Sequence, residues 1–147
     1  MNITTKGRYA LRVMTDLAVH KDEGFIPLSA ISQRQDLSAK YLEMIVSALK
    51  KGGLVVSSRG KEGGYRLSRP PEELTVGDIL RAADDSLAPV SCVKEGQPGC
   101  ERAGHCLSLP MWQELDGIIS SYLDSVYLSD LVSGQRWSGE NKNSGHY

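Results

Sequence analysis

The 147-residue chain lacks any apolar run approaching the roughly 18 residues needed to span a bilayer, so no membrane partner is expected. It opens as Met1-Asn2-Ile3-Thr4-Thr5-Lys6, without the apolar core of a secretory signal, and the expected location is the cytoplasm. Cysteine is scarce: three residues, an odd number poorly suited to a secreted disulfide framework and better read as reduced thiols. No two of them form a Cys-x-x-Cys pair, no nucleotide-binding glycine fingerprint occurs, and no Ser/His/Asp arrangement is evident. These absences argue against a small redox enzyme, and the chain is expected not to be an enzyme. There is no internal repeat.

Charge is unevenly distributed. The net charge is -1, but residues 1 to 70 hold 12 Lys and Arg against 6 Asp and Glu, whereas the remainder holds 5 against 12. A basic half of +6 joined to an acidic half of -7 points to a polyanion as the partner of the first half.

Periodicity gives the elements of the basic half. Thr5 is a plausible N-cap, followed at helical spacing by Ala10, Val13, Met14, Leu17 and Ala18 until Gly24 stops the pattern. Pro27 suits a helix start, and a short second helix is expected from about Leu28 to Gln35, closed by a tight turn at Asp36-Leu37. Ser38 caps the third helix, with Leu37 before it and Leu42 four residues after it as the two arms of a hydrophobic staple. Leu42, Ile45, Val46 and Leu49 form its apolar stripe, leaving Lys40, Glu43, Ser47 and Lys50 opposite. Two short helices joined this way read as a helix-turn-helix. Leu54 to Ser58 and Tyr65 to Leu67 then read as two strands joined by Arg59-Gly60-Lys61-Glu62-Gly63-Gly64, a hairpin with a basic, glycine-rich tip. The fold class is therefore mainly α with a small β wing, a winged helix-turn-helix.

Pro70-Pro71 breaks the chain, and Leu74, Thr75, Asp78 and Ile79 carry the staple and capping-box pattern of a fourth helix ending near Ala83. After a Gly-rich interval, Met111, Trp112, Leu115, Ile118, Ile119, Tyr122, Leu123 and Val126 mark a long C-terminal helix with more apolar surface than one small winged helix can cover. A homodimer packed through this dimerisation helix resolves the excess and matches two half-sites on duplex DNA. The expected organisation is a DNA-binding domain over residues 1–83, a cysteine-containing loop over 84–106, the long helix with a short cap over 107–132, and a polar, disordered tail over 133–147.

Candidate DNA contacts follow from position. Lys40, Tyr41, Glu43 and Ser47 lie on the outer face of the third helix, offering a cation, an aromatic with a polar tip, and a carboxylate able to accept from cytosine N4. Ser38 sits where helix N–H groups favour a phosphate oxygen, and Lys6 in the first turn of the first helix would clamp the same backbone. Arg59 suits the narrow, electronegative minor groove, supported on phosphate by Lys61.

Cys92, Cys100 and Cys106 fall in one Gly-rich, Pro-containing stretch between two helical regions, a clustering that points to a metal or redox site. With His105 they suit tetrahedral zinc, and as bare thiols a reversible redox switch.

In the order of these parts the chain resembles the IscR-type family of winged-helix regulators, whose relatives include NsrR and CymR, over about residues 1 to 132. The most specific pieces are Thr5-Lys6-Gly7-Arg8-Tyr9-Ala10, Ser38 through Leu42-Glu43, Gly53-Leu54-Val55, Arg59-Gly60 to Gly63-Gly64-Tyr65, and the three cysteines. The resemblance implies a dimeric, DNA-binding transcriptional repressor or dual regulator with a double-stranded operator. It also implies an iron–sulphur cluster held by Cys92, Cys100 and Cys106, a 2Fe–2S cluster with 4Fe–4S as the alternative, through which cluster status, iron, oxygen or nitric oxide is sensed. Two departures stand out. Seven residues separate Cys92 from Cys100 where the IscR pattern has five, and the family's histidine three positions after the last cysteine is Leu109 here. In NsrR an aspartate near the start of the first helix, from the partner subunit, completes the cluster instead, and the corresponding residue here is Arg8. The fourth ligand is left among His105, Glu95, Glu101 and an exogenous group.

Overall fold

The computed structural model describes residues 3–84, 86–94 and 104–139. Helix α1 (Thr5–Val19) leads into α2 (Leu28–Gln35) and α3 (Ala39–Lys51), then the antiparallel strands β1 (Val55–Ser58) and β2 (Gly64–Leu67), α4 (Val76–Ala83), the long α5 (Leu109–Ser125) and the short α6 (Leu128–Ser133). No helix among the described residues is long and apolar enough to cross a membrane.

The helix starts follow local chemistry. Thr4, one residue earlier than the Thr5 expected from the pattern, caps α1: its hydroxyl accepts from the Gly7 N–H at 3.0 Å. Asp36 closes α2 in the left-handed conformation with φ 54°. That single residue turns the chain so that Ser38, whose hydroxyl accepts from the Tyr41 N–H at 3.2 Å, can open α3. Leu42 is buried and Leu37 packs against the same core, as the staple requires. At α4 the capping box is complete, with Asp78 N–H donating to the Thr75 hydroxyl at 3.0 Å and Thr75 N–H to the Asp78 carboxylate at 3.1 Å.

One core unites these pieces. Ala10, Val13, Met14 and Leu17 of α1 meet Ile31 of α2, Leu42, Ile45, Val46 and Leu49 of α3, and Ile79 of α4. Each fully buried aliphatic side chain stabilises the fold by about 1.5–3 kcal/mol. The chain also returns to this core after α5. Leu128 N–H donates to the Leu74 carbonyl and Val76 N–H to the Val126 carbonyl, both at 2.8 Å, and Leu128 is fully buried.

The wing has a third, one-residue strand. Ile26 and Tyr65 exchange both backbone hydrogen bonds at 2.8 Å, anchoring the hairpin to the α1–α2 connection. Gly64 permits this approach, because a Cβ there would lie 2.2 Å from the Ile26 carbonyl oxygen. Within the hairpin, Val55 faces Leu67 and Ser58 faces Gly64.

The long helix is only half supported. Leu123 packs on Val76, Leu80 and Val126, and the Arg81 guanidinium grips Asp124 through two hydrogen bonds of 2.6 and 3.0 Å. No α5 residue is fully buried, and Met111, Ile118 and Tyr122 are 50%, 58% and 52% exposed. Beyond α6, Gln135–Trp137 form a 3-10 turn at the start of the segment expected to be disordered. It is held by Arg136, which donates to the Ser125 carbonyl at 2.9 Å and lies over the Tyr122 and Trp137 rings.

Candidate nucleic-acid interface and cysteine loop

The amphipathic pattern of α3 turns its apolar stripe inward, and Lys40, Glu43, Ser47 and Lys50 are all exposed on the other side. Met44 shares that surface at 48% exposure. Tyr41 is placed differently from its neighbours: half-buried, its ring meets Tyr9 of α1 edge-on with centroids 5.7 Å apart. The Arg12 guanidinium lies 5.0 Å from the centre of the Tyr9 ring and donates to the Gln35 side chain at 3.2 Å and to the Gln35 backbone carbonyl. A chain of contacts thus runs from α3 through α1 to the end of α2.

A half-buried ion pair, with the carboxylate inside and the guanidinium reaching solvent, joins α1 to α2. Asp16 is 5% exposed and accepts from the Arg34 guanidinium at 2.7 and 2.9 Å and from the Gln35 amide at 3.0 Å. Burial pushes its carboxyl up. The hydrogen bonds from Arg34 and Gln35 and the charges of Arg34 and His20 outweigh that effect and hold it below the ordinary carboxylate range. Sequence reading missed this clamp, since partners 18 residues apart on different helices leave no periodic trace. The unusual acid in the buried stripe of α1, between Val13 and Leu17, was the available signal.

Arg59 and Lys61 are exposed at the wing tip. Arg59 also lines a cleft between wing and α3 with Lys50, Ser57 and Gly63. Lys50, outside the expected contact set, donates to Ser57 at 2.7 Å and so joins α3 to β1 beside that cleft. Ser38 is exposed at the start of α3, its hydroxyl occupied as the cap. Lys6 is half-buried and lines a separate cleft with Lys51 and Arg81. The arrangement presents an outward polar helix face and a basic tip, with Lys6 set apart from both.

The loop joining α4 to α5 starts against α1. Asp84 accepts from the Thr4 hydroxyl, the same group that caps α1, and its second carboxylate oxygen is buried against Gly7. Cys92 is exposed in the short turn Ser91–Val93, which packs on α5. Cys106 is half-buried three residues before α5. Its sulphur lies 3.3 Å from the Ser108 hydroxyl. That hydroxyl and the backbone N–H groups of Ser108 and Leu109 hold the Cys106 thiol below its ordinary range, against a small opposing effect of burial. His105 is exposed. Cys100, Glu95 and Glu101 lie outside the described residues, and among the described residues no three His, Cys, Asp or Glu side chains converge as a metal-binding group. The thiols of Cys92 and Cys106 are, as thiolates, a ligand type that iron binds.

Comparison with known proteins adds a family. The Rrf2 family, described as iron-dependent transcriptional regulators, matches residues 3–134. The HTH-type transcriptional regulator IscR of Aliivibrio salmonicida is 45% identical over 132 residues, 90% of this chain and 77% of that protein. Among solved structures, the global cysteine regulator CymR of B. subtilis is similar at 38% identity and TM-score 0.73, covering 92% of this chain and 98% of that one. IscR of T. potens is similar at 34% identity and TM-score 0.72, covering 95% and 92%.

Proposed function

The chain belongs to the Rrf2 family of winged-helix transcriptional regulators, which are not enzymes, and on that premise we propose that it is a cytoplasmic, homodimeric repressor or dual regulator whose DNA affinity responds to an iron–sulphur cluster. The observation that carries the DNA-binding half is the outward face of α3. Lys40, Glu43 and Ser47 stand exposed on a helix whose opposite side is locked into the core.

In this reading α3 enters the major groove, with Glu43 and Ser47 reading base edges and Lys40 on the phosphates. Tyr41 contributes through its polar edge while its ring, packed on Tyr9, sets the helix angle. The wing reaches the adjacent minor groove through Arg59, with Lys61 on phosphate. Lys6 and the N-terminus of α3 at Ser38 hold the backbone. Met111, Ile118 and Tyr122 meet their equivalents in a second copy, which spaces two recognition helices for two half-sites.

Cys92, Cys100 and Cys106 would hold the cluster, with His105 as the nearest fourth donor and a 2Fe–2S form favoured over 4Fe–4S. When bound, it supplies a group that oxygen, nitric oxide or iron depletion can alter. The chain's part is to convert loop order into helix position. Asp84, at the head of the loop, is bonded to the cap of α1, and α1 carries both Lys6 and Tyr9, the ring beneath α3. An ordered loop would favour one setting of that contact chain, a population shift between two affinities.

Selection from random-sequence duplexes, with the cluster loaded and with it removed by a chelator, tests the reading. A two-fold operator bound with different affinity by the two forms is expected. Equal affinity and equal site choice in both forms would contradict it.

A further inference from the structure

We infer that Ser108 is a positioning residue for the cluster, which donates its hydroxyl hydrogen bond to the Cys106 sulphur and thereby raises the reduction potential of the bound group. This rests on the cluster reading above. Two independent features carry it. The first is geometric: Ser108 occupies the residue before α5, where a serine would ordinarily accept from a helix N–H, yet its side chain makes no capping bond and lies instead 3.3 Å from the Cys106 sulphur. Its backbone is already helical at φ -90° and ψ -13°, which takes the hydroxyl out of capping geometry and leaves it to the thiol. The second is the rigidity of the support. Leu109 N–H donates to the Cys106 carbonyl and Trp112 N–H to the Ser108 carbonyl at 3.1 Å, so donor and sulphur are both fastened to the first turn of a 17-residue helix.

The physical effect follows from charge. One-electron reduction adds negative charge to the cluster and its thiolates, with no bond broken. A hydrogen bond to a ligand sulphur stabilises the more electron-rich state more strongly, so reduction becomes easier. Leu109, at the position where the family pattern has histidine, brings no such donor, and the Ser108 hydroxyl is a side-chain hydrogen-bond partner of Cys106, able to donate once the sulphur is a thiolate. Chain-specific sensitivity to oxidants would then be set by this residue as well as by the ligands.

The test uses the full chain, reconstituted without oxygen with iron and sulphide, as wild type, Ser108→Ala and Ser108→Thr. Each is titrated with dithionite through mediators while the visible spectrum is followed. In Ser108→Ala the equilibrium constant for reduction is expected to fall about tenfold, equivalent to ~59 mV for one electron. The sulphur-to-iron absorption should move to longer wavelength, and Ser108→Thr should restore both. A loaded Ser108→Ala protein with wild-type potential and spectrum would overturn the role of Ser108 alone. Loss of the cluster from both variants would overturn it too, since a hydroxyl-specific effect must be rescued by threonine. Loss from the alanine variant only would make Ser108 a residue that retains the cluster and overturn its effect on the potential. Wild-type protein that takes up neither iron nor sulphide overturns the cluster reading, and this role with it.

Discussion

Replacing Asp16 by Asn leaves the shape of the α1–α2 clamp and removes its charge. Asp16 is 5% exposed and receives three hydrogen bonds, two of them from the guanidinium of Arg34. Removing one partner of a buried ion pair costs about 3–5 kcal/mol when the other is stranded. Arg34 is not fully stranded, because its side chain is 35% exposed and regains water, so about 2–3 kcal/mol is the expected loss. For a chain of this size that lowers Tm by about 5–10 °C. The pH dependence has a definite sign. Asp16 titrates lower in the folded protein than in the unfolded chain, so its contribution is complete above the ordinary carboxylate value and disappears as pH falls through the lower folded value. Thermal unfolding of the two proteins should therefore show a constant gap at neutral pH that narrows only in acid below about pH 4. A variant within about 1 °C of wild type at pH 7, or a gap unchanged in strong acid, would refute the assignment.

Further outcomes follow from other parts of the molecule. Gly64→Ala places a Cβ against the Ile26 carbonyl; it should cost about 2 kcal/mol and remove hydrogen-exchange protection at Ile26 and Tyr65 while sparing α4. Lys61→Ala should weaken binding to all duplexes alike and reduce the slope of log K against log salt by about 1, measured by fluorescence anisotropy. Ile118→Glu alters an exposed site of the single chain, so Tm measured on monomer should change by less than about 0.5 kcal/mol equivalent, whereas sedimentation should show the dimer gone.

What the sequence disclosed and what it hid divide along physical lines. Local signals are short-range and printed in the residues. Ser38 with Leu37 and Leu42, the Thr75–Asp78 box, and the glycines of the wing located α3, α4 and the hairpin, because caps, staples and turns are decided within four or five positions. Long-range pairings leave no such record. The single-residue strand at Ile26, the clamp from Asp16 to Arg34, the Tyr9–Tyr41 contact and the return of Leu128 to the core each join segments 18 or more residues apart by one or two contacts. The excess apolar surface of α5 was legible, and Met111, Ile118 and Tyr122 are exposed in the single chain. The clustering of the three cysteines is legible in the sequence. The Ser108 hydroxyl is not, because a serine before an apolar helix reads as a cap, whereas the folded chain brings it to Cys106.

The most direct measurement is the visible absorption spectrum, with iron and acid-labile sulphide content, of wild type and Cys92→Ala purified without oxygen. Broad visible absorbance with both elements is expected in wild type, and a colourless but dimeric protein in Cys92→Ala. Colourless wild-type protein holding zinc or free thiols would contradict the cluster reading while leaving the family and its winged-helix fold in place.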